Sequence, residues 1–158
     1  MFIIDGNNLL HAIHKAEDNL SLISDIELCR ILYNFLKLSR QTGEIIFDGT
    51  GPRDISLYGK FNNLEVSFAG IGTDTDTVIE DKIKVNTSPK RLVIVSSDRR
   101  LRKAAHARKA TSIKSEDFWF NLNKQLNKKK PEKEPREKRF GLSESETKQW
   151  LDIFGIGQ

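Results

Sequence analysis

Three apolar runs in this sequence end in an aspartate. Phe2-Ile3-Ile4 leads into Asp5, Glu44-Ile45-Ile46-Phe47 into Asp48, and Leu92-Val93-Ile94-Val95-Ser96-Ser97 into Asp98. A fourth acid, Asp76, stands in the run Thr73-Asp74-Thr75-Asp76-Thr77, with Asp74 and Glu80 close by. Carboxylates crowded into one place repel each other, and are tolerated when some are protonated or a cation sits between them. An all-oxygen donor set favours Mg²⁺ or Mn²⁺ over Zn²⁺. His11, His14 and His106 fall on predicted helices, outside any zinc spacing. A hard divalent cation held by carboxylates activates water and neutralises charge developing on a phosphodiester. Metal-dependent hydrolysis of nucleic acid is the chemistry these residue types serve together. Arg99, Arg100, Arg102 and Lys103, directly after Asp98, would hold flanking phosphates. Each group also has a plainer role: an aspartate at a strand end forms turns or caps helices, and a charge run makes a solvated helix face.

The elements that would position these acids are legible from periodicity. An uninterrupted apolar run before Asp5 predicts a strand buried on both faces, and Leu9, Leu10 and Ile13 predict a short helix after it, to about Lys15. A polar connection, Ala16 to Asn19, follows. Ser24 or Asp25 is a suitable cap for a helix running to Arg40, with Gly43 as its stop. Strand two spans Glu44 to Asp48, completing a βαβ unit whose strands should be parallel. The segment around Ile55 to Phe61 predicts a loop or short helix, and Leu64 to Ala69 a peripheral third strand. A capped helix then begins in the Thr73–Thr77 run, with Val78, Ile79 and Ile83 as its buried stripe. Strand four runs from Leu92 to Ser96, Asp98 caps the next helix, Ala110 to Ile113 form a short fifth strand, and Ser115-Glu116-Asp117 open a helix carrying Phe118, Trp119, Phe120 and Leu122. Parallel strands bring Asp5, Asp48 and Asp98 to one carboxyl edge, where open α/β sheets bind ligands.

Length and composition frame this reading. A chain of 158 residues supports one domain with a respectable core and a short appendage. The only cysteine, Cys29, lies in a helical apolar pattern, which excludes a disulfide framework and points to a reducing compartment. No apolar run approaches a membrane span, so the expected location is the cytoplasm and no membrane partner is expected. The net charge of +4 is concentrated, with eight Lys or Arg against three Glu between Lys124 and Arg139. Expected boundaries are 1–126 for the α/β domain, 127–140 for a charged linker that cannot pack, and 141–158 for a last amphipathic helix with Trp150, Leu151, Ile153 and Phe154.

Four segments, in order and spacing, resemble one family. Ile4-Asp5-Gly6-Asn7-Asn8-Leu9-Leu10, Phe47-Asp48-Gly49, Thr75-Asp76-Thr77-Val78-Ile79-Glu80 and Val95-Ser96-Ser97-Asp98-Arg99-Arg100-Leu101 are similar to the NYN domains of the PIN-like nuclease superfamily, with the best likeness to the YacP-like branch. The likeness covers about Met1 to Leu122. It implies a three-layer Rossmann-like (PIN-like) α/β fold around a mainly parallel sheet of about five strands. It also implies an endoribonuclease site using Mg²⁺ or Mn²⁺, with RNA as substrate and the ribosome as an associated partner. By position, Asp5, Asp76 and Asp98 match the family's metal acids, Asn8 the asparagine that arranges the site, and Ser97 the hydroxyl beside the last acid. Asp48 and Asp74 would hold outer-shell waters. Where the branch often shows two adjacent acids, this chain has Asp76-Thr77 with Asp74 two residues upstream; if Asp74 does not reach the metal, either occupancy is weaker or Glu80, one helical turn on, substitutes.

Competing readings follow from the same residues. One is a non-catalytic RNA- or ribosome-binding module with this fold. Another is a small-molecule phosphohydrolase using Asp5 as nucleophile, although that chemistry wants a second acid at position 7, where Asn7 stands. A toxin-like nuclease with a partner inhibitor is also open, and the oligomeric state is not written in the sequence.

Overall fold

The computed structural model describes residues 1–16 and 23–128. Five strands, β1 (Phe2–Asp5), β2 (Gly43–Phe47), β3 (Leu64–Phe68), β4 (Val93–Val95) and β5 (Thr111–Ile113), form one sheet in the order β3-β2-β1-β4-β5. Every neighbouring pair is parallel. Five α-helices connect or flank them: α1 (Gly6–Ala16), α2 (Asp25–Ser39), α3 (Thr75–Val85), α4 (Arg99–Ala107) and α5 (Ser115–Lys128). The segment from Ile55 forms a short 3₁₀ turn, Ile55–Tyr58.

Side chains alternate along each strand, so the three central strands β1, β2 and β4 feed two cores. On one face Phe2 and Ile4 join Ile45, Phe47, Val93 and Val95 beneath α1, α2 and α5. Phe2, Phe35 and Phe118 interlock there with ring centroids 5.3 to 5.9 Å apart. On the other face Ile3, Ile46 and Ile94 pack against Ile79 and Ile83 of α3 and Leu101 and Ala105 of α4. The result is the three-layer α/β architecture expected from the sequence. Cys29 is buried in the first core. Among the described residues no helix is long and apolar enough to cross a membrane.

Several boundaries differ from expectation for local reasons. Gly43 does not stop α2; it is the first residue of β2, and the stop is Arg40, held in the left-handed region at φ 54° with its N–H bonded to the carbonyls of Leu36 and Lys37. At the other end Ser24 caps α2 in a reciprocal capping box with Glu27. The expected linker start at 127 falls inside α5, which runs to Lys128, a cation suited to a helix C-terminus. The rest of the linker, the 141–158 helix and most of the Ala16–Asn19 connection lie outside the described residues.

Candidate active site

Strand order determines where a site can form. From β1 the chain moves to β2 and β3 on one side, then returns to β4 and β5 on the other, so the switch point lies between β1 and β4. Asp5 closes β1, and Asp98 follows β4 as the cap of α4, its Oδ1 accepting the Arg100 N–H at 2.7 Å. Asp5 is only 5% exposed. Its Oδ1 accepts the Asn8 N–H at 3.3 Å and its Oδ2 accepts the Ser96 hydroxyl at 3.2 Å, while the Ser96 oxygen accepts the Asp98 N–H at 3.1 Å. Ser96 thus links the two acids.

Burial, opposed by the Asn8 and Ser96 hydrogen bonds and reinforced by the charges of Asp76 and Asp48, pushes the Asp5 carboxyl up to about 6. Asp76, in the first turn of α3, is also held above its ordinary value, first by burial, then by Asp98 and Asp74, with Arg100 opposing. A hydrogen bond shared with Asp98 adds to that rise. The fold therefore couples Asp5, Asp48, Asp76, Asp98 and Asp74 electrostatically, as crowding of negative charge requires.

The accessory acids are engaged individually. Asp48 Oδ1 accepts both the hydroxyl and, at 3.4 Å, the N–H of Thr75, and its own N–H donates to Asn7 Oδ1 at 2.8 Å. These bonds tie the ends of β1 and β2 to the start of α3. Asp74 caps α3, accepting the Thr77 N–H at 2.6 Å, and hydrogen bonds from the Thr77 side chain first and its N–H second hold its carboxyl below the usual range. Glu80 pairs with Arg100 at 2.5 Å and Lys84 at 3.4 Å, and the Arg100 bond lowers its carboxyl. Both acids near Thr77 are thus engaged locally, Asp74 in the α3 cap and Glu80 with two cations. Arg100 also donates to the Thr77 hydroxyl at 3.2 Å, and so braces α3 against α4. Arg99, Arg102 and Lys103 lie along a separate cavity beside β5. His11, His14 and His106 are exposed, and His106 lies along that same cavity.

A second network holds Asn8. Its Oδ1 accepts the Ser97 N–H at 2.9 Å and the Ser115 hydroxyl at 2.6 Å. Ser97 in turn donates its hydroxyl to Glu116 at 2.5 Å and accepts the Ser115 N–H at 2.9 Å. The backbone donor on Ser97 fixes the amide orientation and leaves Asn8 with only its NH₂ to offer a ligand. Ser96, Ser115 and Glu116 were not singled out as site residues by the sequence. Ser115 and Glu116 read there as helix-start chemistry, and their second role depends on α5 returning beside α1.

Among the described residues, no three His, Cys, Asp or Glu side chains lie close enough to enclose a metal ion by themselves. The donor chemistry nonetheless fits Mg²⁺ or Mn²⁺. Mg²⁺ keeps several waters and is commonly bound through one or two carboxylates, and a set of mutually repelling carboxylates around the buried Asp5 is where a cation gives the largest relief.

Gly6, between Asp5 and the rest of α1, has no room for a side chain. A Cβ there would stand 2.5 Å from the Phe47 ring and 3.0 Å from the Ile46 carbonyl oxygen. Phe47 is itself buried. Gly6→Ala is expected to cost about 2 kcal/mol despite alanine's helix propensity, as overpacking does; urea unfolding checks this.

The family model for the YacP-like NYN domain matches residues 2–153. Among solved structures, Rae1 (YacP) from Bacillus subtilis is similar at TM-score 0.64 and 14% identity, covering 81% of this chain and 76% of that one. Its W164L mutant is similar at TM-score 0.61 and 14% identity, covering 80% and 77%. No curated protein matches this sequence. At such identity the two structures speak for the fold, while the family match extends beyond the Met1–Leu122 stretch that carried the sequence likeness. With nearly the whole sequence matched and the parallel five-stranded fold shared, this chain belongs to the YacP-like NYN family.

Proposed function

We propose that this protein is a Mg²⁺- or Mn²⁺-dependent endoribonuclease that hydrolyses phosphodiester bonds in single-stranded RNA. The observation that carries the reading is the buried Asp5 carboxyl at the sheet's switch point, raised by burial and by the charges of Asp76 and Asp48. Such an arrangement is unfavourable for the protein alone and favourable around a cation. Asp5, Asp76 and Asp98 are the residues that would hold it. When bound, a hard divalent ion activates water and offsets charge developing at phosphorus.

The remaining roles belong to the chain's own groups. Asn8, with its oxygen committed to Ser97 and Ser115, donates its NH₂ toward a phosphate oxygen. Ser97 and Glu116 keep Asn8 and the β4–α4 turn in place. Asp48 orients the α3 start through Thr75, so that Asp76 approaches Asp5. RNA presented on the ribosome, in the cytoplasm, is the setting that the family resemblance supports.

The test is cleavage of labelled single-stranded RNA in Mn²⁺, Mg²⁺ and EDTA, with Asp5→Asn and Asp76→Asn beside the unmodified chain. Cutting that needs metal and is lost in both variants is the expected result. A non-catalytic RNA-binding module is the second reading, favoured by the engagement of Asp74 in a cap and of Glu80 with Arg100. RNA binding without cutting in either metal, on free RNA and on RNA held by ribosomes, would select it.

A further inference from the structure

Arg99, Arg102, Lys103 and His106 recur at spacings of three, four and seven along α4 and so share one stripe, opposite the Leu101 and Ala105 face that packs into the core. With Ala107 and Ser112 they line a cavity of about 360 Å³ between α4 and the edge strand β5. No acidic side chain lines it. Arg102 Nε is shielded from solvent and has no hydrogen-bond partner. Buried polar atoms are ordinarily paired, and an unpaired guanidinium N–H asks for an acceptor. Three cations and a serine hydroxyl lining a concave site suit an anion with several acceptor oxygens, which describes a phosphate group.

The cavity's place relative to the acids says which phosphate. Arg99 directly follows Asp98, and the stripe from Arg99 to His106 runs roughly 10 Å along the helix away from that acid. Arg100, the remaining cation of the cluster, is turned to Glu80 and Thr77 and is not among the lining residues. We propose that this cavity is a phosphate pocket, with Arg102 at its centre, that seats one backbone phosphate of the RNA strand beside the acidic site. The inference rests on RNA being the substrate and adds a fixed register. A strand anchored here would be cut at a set distance from the anchored phosphate.

The experiment is fluorescence anisotropy of a short labelled single-stranded RNA with the full chain in EDTA, where no cutting competes, over a series of salt concentrations. Arg102→Gln keeps much of the stem and hydrogen-bonding capacity while removing the charge. It is expected to weaken binding about tenfold and to flatten the salt dependence by about one counterion, while Lys90→Gln, on the exposed turn before β4, changes neither. RNAs carrying one neutral methylphosphonate, placed in turn at each linkage, locate the contact. At one position the substitution should weaken the unmodified chain but leave Arg102→Gln unaffected. If Arg102→Gln binds RNA like the unmodified chain, or if no position shows that dependence, the pocket does not seat RNA. Inorganic phosphate bound through Arg102 without any effect on RNA affinity would assign the cavity to a free anion and overturn the proposal equally. The two readings fail separately. An Arg102-dependent register without cutting in any metal sinks the nuclease and keeps the pocket, whereas metal-dependent cutting with Arg102-independent binding does the reverse.

Discussion

Asp5→Asn is expected to be more stable than the unmodified chain at pH 7 in metal-free buffer, while losing about a hundredfold or more in RNA cleavage rate. The folded-state carboxyl sits at about 6 against an ordinary value of 3.8, because burial and the nearby acids disfavour its charge. Between these values the folded chain binds more protons than the unfolded one. Stability at this residue is therefore greatest below the unfolded value and falls as pH rises through about 6, by about 3 kcal/mol in all. Asparagine carries no charge to bury, and its oxygen can still accept the Asn8 N–H. After allowing about 1 kcal/mol for a weakened hydrogen bond, the variant should gain about 2 kcal/mol at pH 7, a rise in Tm of about 4–8 °C for a chain of this size. Near pH 4 the advantage should vanish. Thermal scans across pH 4 to 8 check the sign, and a variant that is equally destabilised at both ends would remove the electrostatic account of Asp5. Saturating Mn²⁺ should raise the Tm of the unmodified chain, by about 2.7 kcal/mol of stability at a hundredfold excess over Kd, and do much less for Asp5→Asn.

The second large effect is expected at Asn8, and its sign is opposite. Asn8 Oδ1 is the single acceptor for the Ser97 N–H and the Ser115 hydroxyl, and so joins α1, the β4–α4 turn and the start of α5. Asn8→Ala leaves a part-buried backbone donor unpaired. It should cost about 2–4 kcal/mol, the sum of one orphaned donor and one lost side-chain bond. Asn8→Asp keeps an acceptor for both donors but adds a negative charge beside Asp5, so most of the packing should survive while the Asp5 carboxyl rises further. If the asparagine's NH₂ is what meets the substrate, both variants lose cleavage, whereas only Asn8→Ala loses much stability. Urea unfolding beside single-turnover cleavage separates the two roles. Comparable stability losses in both variants would show that the amide NH₂, and not the oxygen, carries the structural load.

Asp5 and Asp98 were legible because their setting is local. An apolar run of period-free hydrophobicity ends at each, and strand ends and helix caps are decided by a few neighbouring residues. The core was equally legible: Ile79 and Ile83 lie at helical spacing on α3, and both are buried. Local pattern also predicted a parallel βαβ unit, and from it the edge to which the acids come. It misplaced the α2 stop because glycine is the usual left-handed residue, while here Arg40 adopts that conformation and Gly43 is needed in β2, where a Cβ would lie 3.3 Å from the Phe2 carbonyl oxygen.

The sequence by itself, then, determined the elements, the acids that end them and the family they belong to, since each depends on side-chain period, capping and short motifs. Only the tertiary structure decided how those acids are used. Glu80 and Arg100 are paired across two helices, Asp48 at the end of β2 meets Thr75 at the start of α3, and Asn8 meets Ser97 and Ser115 from far along the chain. These partners are separated by 20 to 107 residues, so no local spacing records them. The same is true of Arg99, Arg102 and Lys103: a helical stripe of cations is a solvated face until a neighbouring edge strand closes one side and turns it into a pocket.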